Sequence, residues 1–140
     1  MIGVIRIHGL VKVNKNIEST LDRLRLRRKY VCVILREKPE IIGMLKRVES
    51  FIAYGRIDEK TFQELITKRG KSIDRKKIDA KKIISEFSEG KTEKSLEELG
   101  IKPFFRLHPP RGGINTRKRF PRGVLGDNKE KINELIRRML

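Results

Sequence analysis

The stretch YVCVILREKPEIIGMLKRVESFI, residues 30–52, changes its hydrophobic period twice. It opens on the unbroken apolar run Tyr30 to Leu35, rich in β-branched residues, as a strand covered on both faces requires. Pro39 then suits the first turn of a helix, because a first-turn residue has no amide hydrogen bond to lose. Ile41, Leu45 and Val48 follow at helical spacing and would form one buried stripe. With FIAYGRI, residues 51–57, the pattern returns to a strand. Upstream, IGVIRIH, residues 2–8, is β-branched and partly alternating, which predicts another strand. Between them, Ile17, Leu21 and Leu24 stand at i, i+4 and i+7, predicting a helix for which Asn16 is a suitable N-cap. Residues 1–57 therefore read β-α-β-α-β. This is an α/β (α+β) unit with a three-stranded sheet and both helices on one face.

Residues 58–140 read as an extension of that unit. Asp58 is placed to cap a helix over DEKTFQELITKRG, in which Phe62, Leu65 and Ile66 are the apolar positions. IDAKKIISEFSEG and TEKSLEELG predict two further helices, each closed by a glycine. Apolar residues are sparse there, so residues 58–100 are expected to protrude as a helical appendage with a thin core of its own. FFRLH, residues 104–108, could add an edge strand before Pro109 and Pro110 end pairing. At the end of the chain, Asp127 and Glu130 have capping-box spacing. Ile132, Leu135, Ile136 and Met139 make a helical stripe, so a helix over 127–140 should pack back on the core.

Charge narrows the function. The 140 residues carry 35 Lys and Arg against 18 Asp and Glu, a formal net charge of +17. Self-repulsion on that scale opposes compaction, and a bound polyanion relieves it. The cations form three clusters. One is RLRLRRK, residues 23–29, at the end of the first helix, where Arg27, Arg28 and Lys29 would also suit the negative end of the helix dipole. Another is TKRGKSIDRKK, residues 67–77, with Lys68, Arg69 and Lys71 among six cations against one acid. The third lies in 101–126, which holds seven cations and no acid. Lys102 and Arg106 come first. HPPRGGINTRKRFPRG, residues 108–123, then carries Arg111, Arg117, Lys118, Arg119 and Arg122.

Three prolines and three glycines in 108–123 rule out a regular helix or a central strand there. Either the segment is a solvated loop or an anionic partner orders it. Gly112 and Gly113 would let the backbone approach another surface, while arginine forks contact phosphate and stack on bases. Nothing in the pattern suits base-edge readout, so recognition of backbone and shape is expected. Tyr54 and Phe120 are candidates for stacking on unpaired bases.

Catalysis and metal binding find little support. His8 and His108 are the only histidines, and neither has a cysteine or histidine at metal-ligand spacing. Glu86, Glu89, Glu93, Glu97 and Glu98 crowd together as a solvated acidic face suits, with no sign of a paired acid and base. The glycine pattern that cradles nucleotide phosphates is absent. Cys32 is the only cysteine and lies in an apolar run, consistent with a buried small hydrophobe in a reducing, cytoplasmic setting. No apolar run is long enough to cross a bilayer, and MIGVIRIHG reads as a strand, not a signal peptide.

LRLRRKYVCVILREKPEIIGMLKRVESFI, residues 24–52, resembles the signature region of the large-ribosomal-subunit protein family numbered thirty. FIAYGRIDEKTFQELITKRG, GIKPFFRLHPPRGG and INELIRRML are similar to the long archaeal form, the counterpart of eukaryotic large-subunit protein seven. Residues 71–100 carry no part of the resemblance. The resemblance implies a non-catalytic structural component that binds large-subunit ribosomal RNA beside neighbouring ribosomal proteins. It implies no cofactor, metal, small-molecule substrate or membrane. Arg27, Arg28, Lys68, Arg69, Arg111, Gly112 and Gly113 match its motifs and become RNA-contact candidates. Lys29, Lys71, Arg106, Arg117, Lys118, Arg119 and Arg122 join them on charge alone. A free-standing nucleic-acid chaperone or DNA-compacting protein shares the charge. A small RNA-modifying enzyme would need an acid–base pair or cofactor pocket, and neither is visible.

Overall fold

The computed structural model describes residues 1–88 and 96–140. Strands β1 (Ile2–Arg6), β2 (Val31–Leu35) and β3 (Ile52–Arg56) alternate with helices α1 (Lys15–Arg23) and α2 (Pro39–Arg47), as the changes of period predict. Helices α3 (Glu59–Arg69) and α4 (Ala80–Ser88) follow, then two-residue strands β4 (Phe105–Arg106) and β5 (Gly126–Asp127). A 3-10 turn over Lys129–Lys131 leads into α5 (Ile132–Met139).

The sheet has five strands in the order β4-β2-β1-β3-β5. β1 lies at its centre, antiparallel to both neighbours, with Val4 opposite Val33 on one side and Tyr54 on the other. FFRLH supplies the expected edge strand, pairing Arg106 with Val31. β5 pairs in parallel with β3 and has no hydrophobic signature, so it is the one strand beyond the expected three and their edge strand.

Strand periodicity sorts the core into two layers. Ile2, Val4, Val31, Val33 and Ile52 face Leu21, Leu24, Leu45 and Val48, so α1 and α2 share one face. Ile5, Cys32, Ile34 and Ala53 face the opposite way, against Phe62, Leu65, Ile83, Phe87, Leu135 and Ile136. That second layer overturns the protruding appendage. Phe62 and Leu65 of α3 are fully buried in the sheet's own core, each stabilising the fold by about 2 kcal/mol. A sheet of nearly continuous apolar strands must be covered on both sides, and α3, α4 and α5 are its second cover. Close approach of the C-terminal segment depends on Gly55. A Cβ there would stand 2.2 Å from the Lys129 carbonyl oxygen.

Helix ends follow local chemistry, with two corrections. Pro39 takes the first turn of α2, and Asp58 caps α3 by accepting from the Thr61 amide at 2.6 Å. The cap of α1 is Asn14, which accepts from the Asn16 amide at 3.0 Å, so Asn16 is the second residue of the helix and not its cap. The capping box at Asp127 and Glu130 does not form. Asp127 is held in β5, and its carboxylate accepts from the Lys129 amide in a tight turn, delaying α5 to Ile132. Of the helix predicted over 92–100, residues 92–95 lie outside the described residues, and 96–100 form turns. Among the described residues no helix is long and apolar enough to cross a membrane.

Candidate nucleic-acid interface

The antiparallel register brings the C-terminal end of β1 together with the N-terminal ends of β2 and β3. Residues 8–14, 24–30 and 107–125 all leave or enter the sheet at that end. Two of the three cationic clusters therefore meet there, though they are far apart in sequence.

The first cluster is not the end of a helix. α1 stops at Arg23, and Arg25 takes a positive φ of 63° in a turn closed by Leu26 N–H donating to the Leu21 carbonyl at 2.9 Å. Helix-dipole stabilisation is therefore a property of Arg23, not of Arg27, Arg28 and Lys29. Arg25, Arg27, Arg28 and Arg106 line one shallow groove with Val31 and Phe104. Arg25 is paired with Glu97, while Arg27, Arg28 and Arg106 are exposed and have no carboxylate partner among the described residues. The Arg106 guanidinium lies 5.9 Å over the Phe104 ring, and the Lys29 ammonium 4.9 Å over Tyr30. Phe104, half-buried in a groove lined by four arginines, is the aromatic that sequence reasoning missed. Tyr54 and Phe120 fit stacking less well. Tyr54 packs in the core of the α1 and α2 face, and Phe120 is half-buried with Lys131 at 6.0 Å.

Behind this turn lies Arg6, a second residue the sequence reading passed over. Its side chain is fully buried. Its guanidinium donates to the carbonyls of Leu26 at 2.6 Å, His8 at 2.9 Å and Gly9 at 3.1 Å. Desolvation lowers its pKa, while Asp22 and Glu18 work the other way. Three carbonyl acceptors satisfy the buried charge, and the arginine turn and the 8–14 loop become one rigid unit. The available signal is Arg6 itself, a lone cation inside a strand otherwise buried on both faces.

The 108–123 segment is tied to the body of the protein by hydrogen bonds, which a free tail would lack. His108 and Arg111 donate their amides to the carbonyls of Met139 and Arg138, both at 3.1 Å. Arg138 returns two guanidinium bonds, to Arg111 at 2.9 Å and to the Gly113 carbonyl. Farther along, Val124 N–H reaches the Asn115 carbonyl at 3.1 Å, and His8 Nε2 lies 2.9 Å from the Thr116 carbonyl. The last-turn carbonyls of α5, which have no partner within the helix, provide this anchoring, a source of order that composition does not reveal. Gly112 and Gly113 have φ values of 80° and 73°, so glycine here shapes a turn around Arg138. Arg111, Arg117, Lys118 and Arg122 are exposed, with no carboxylate partner among the described residues. Arg119 is instead paired with Glu49 at 2.7 Å.

The cluster at residues 67–77 stands apart. Lys68 and Arg69 end α3. Lys71, whose carbonyl accepts from the Lys102 amide at 2.9 Å, lines a separate groove with Arg75, Lys76 and Lys102. Among the described residues no hydrogen bond or ion pair joins it to the 108–123 segment. Of the acidic cluster, Glu89 and Glu93 lie outside the described residues. Among the described residues no three histidine, cysteine or carboxylate side chains could share a metal ion.

Comparison with known proteins matches residues 2–52 to the family model described as ribosomal protein L30p/L7e. Near full-length relatives are the large ribosomal subunit protein uL30 of Archaeoglobus fulgidus, 38% identical over 99% of both chains, and that of Nanoarchaeum equitans, 40% identical over 99% of this chain and 97% of the relative. The uL30 of Aeropyrum pernix is 41% identical over 99% of this chain and 98% of its own. Residues beyond the matched core thus align with archaeal relatives of the same length class. The chain belongs to the uL30 family of ribosomal proteins, structural and non-enzymatic constituents of the large ribosomal subunit.

Proposed function

We propose that this protein binds large-subunit ribosomal RNA through the cationic end of its sheet and helps hold that RNA in its folded form. The observation that carries the reading is the groove of Arg27, Arg28 and Arg106 around Phe104, beside a pinned loop bearing Arg111, Arg117, Lys118 and Arg122. Lys29, Gly112 and Gly113 belong to the same surface. Arg119 contributes after exchanging Glu49 for phosphate, while Lys68, Arg69 and Lys71 make a second, separate contact. In this reading residues 1–57 supply the arginine turn, and residues 58–140 supply the loop and the helix that holds it. Neighbouring ribosomal proteins cover other faces of the molecule, which works on the ribosome in the cytoplasm.

Each phosphate neutralised releases condensed counterions, so affinity should fall steeply with salt. Because Arg6 and Arg138 have already ordered the two contact segments, little conformational entropy is lost on binding. Arginine suits this surface because its planar fork meets phosphate with two hydrogen bonds and stacks on bases. The test is a salt titration of binding to large-subunit ribosomal RNA. Substituting Arg27, Arg28 and Arg106 with Ala should reduce the slope of log K against log salt by about 2, at roughly 0.7–0.9 per lost phosphate contact. An unchanged slope and affinity would remove the groove from the interface.

A further inference from the structure

Two of the three most exposed large apolar side chains among the described residues are adjacent, at the cationic end of the sheet. Leu10 is 58% and Val11 85% exposed. Their loop is not slack. Its base is fixed by Arg6, which donates to the His8 and Gly9 carbonyls, and by the Ile7 and His8 amides, which donate to the Phe51 carbonyl at 2.9 and 3.2 Å. Lys12, next along, takes a left-handed φ of 57°, a strained setting for a residue with a side chain. The chain thus holds two apolar side chains out into water on a rigid mount, an arrangement that folding alone does not favour.

Resting on the RNA-binding reading above, we propose that Leu10 and Val11 form an apolar anchor that buries against ribose and base surface of the bound RNA while the neighbouring cations hold its phosphates. Arg6 sets the relation between the two parts, because the guanidinium that fixes the base of this tip also holds Leu26 in the arginine turn at 2.6 Å. The surroundings select the partner. Lys12 and Lys15 follow the tip in the chain, Arg27 and Arg28 stand in the turn that Arg6 ties to its base, and all four are exposed, so an apolar surface that docks there must itself be embedded in negative charge. Folded RNA meets that condition. Its shallow minor groove and unstacked bases present apolar faces between phosphates. Apolar side chains are also a known means of engaging bases from a groove. Contact of this kind displaces water without releasing counterions, so it adds affinity that salt does not screen.

The experiment compares the full chain with Leu10→Ser/Val11→Ser and with Val11→Ser alone. The probe is deproteinised large-subunit ribosomal RNA, titrated at several salt concentrations. Both side chains are exposed, so the variants should keep the wild-type circular dichroism and melting temperature, which is checked first. The double variant is expected to bind at least about tenfold more weakly, the single variant by an intermediate factor, with the salt slope unchanged. Equal affinity of wild type and variants would overturn the anchor while leaving the RNA-binding reading intact. A reduced salt slope would also overturn it, because the loss would then be electrostatic. A defect seen only when other subunit proteins are present would assign the tip to a protein neighbour instead. Failure of the wild type to bind this RNA would defeat both readings together.

Discussion

The Arg138 guanidinium grips the Arg111 carbonyl at 2.9 Å, and the Arg138 carbonyl in turn accepts from the Arg111 amide at 3.1 Å. A cation at the end of the last helix thereby holds a cationic loop that begins 27 residues upstream and has no acid of its own. Arg138→Ala should release residues 111–117 while leaving the core intact. The expected result is faster amide exchange confined to that loop, a stability loss of about 1 kcal/mol, and weaker binding to ribosomal RNA. Unchanged exchange across 111–117 would show that the remaining backbone bonds suffice.

At Gly55 the start of the C-terminal helix lies directly against β3. Its absent Cβ would stand 2.2 Å from the Lys129 carbonyl oxygen and 3.0 Å from Ile132. Gly55→Ala must push the 3-10 turn and α5 outward, at a cost of about 1–3 kcal/mol. A chemical-denaturation midpoint would register this as a large downward shift. Gly43→Ala, where nothing lies within 4 Å and the residue is in a helix, should be neutral or mildly stabilising.

Asp58 should make the fold sensitive to acid. Burial works to raise its pKa, but Thr61, whose amide donates to the carboxylate, and the charges of Arg137 and Lys60 outweigh it, and the net shift is downward. A carboxylate with a depressed folded pKa contributes stability that is present above the unfolded value near 4 and is lost as pH falls through the folded value. Asp58→Ala should therefore lose about 1 kcal/mol at neutral pH through the missing cap, and progressively less as pH falls through the depressed folded value. Melting temperatures of wild type and variant, measured from pH 7 to pH 2, should converge at the acid end.

Cys32 lies between Val4-side and α3-side layers with no exposed surface, and burial pushes its thiol up to about 12 against a backbone hydrogen bond from Val4. At pH 8 the native protein should be inert to an aromatic disulfide reagent and react only when unfolded. The raised folded value also means that stability present below about pH 8.5 declines as pH rises towards 12, by up to about 1.4 kcal/mol per pH unit. Cys32→Ala should flatten that alkaline decline.

Much of the architecture was legible because the strands are buried on both faces. Their unbroken apolar runs set them apart from the helical stripes of α1, α2 and α5. The same fact should have ruled out a protruding appendage, since a sheet covered on one side only would alternate along its strands. What stayed hidden was set by tertiary contact. Gly126 and Asp127 become a strand only through pairing with Ala53 and Tyr54, and two residues carry no period. The arginine clusters were visible as composition, but their meeting was not. Arg28 and Arg106 share a groove because Val31 pairs with Arg106, a register that no local pattern announces. Arg6 was hidden for the opposite reason. A cation inside a strand reads as exposed until the carbonyls that satisfy it are known.

The most direct test is reconstitution of large subunits stripped of this protein, comparing the wild-type chain with one in which Arg27, Arg28, Arg106, Arg111, Arg117 and Arg122 are all Ala. The prediction is that the neutralised chain keeps its circular dichroism and fails to rejoin the particle through a moderate-salt wash that the wild type survives. If both chains incorporate equally, the cationic end of the sheet is not what attaches this protein to RNA.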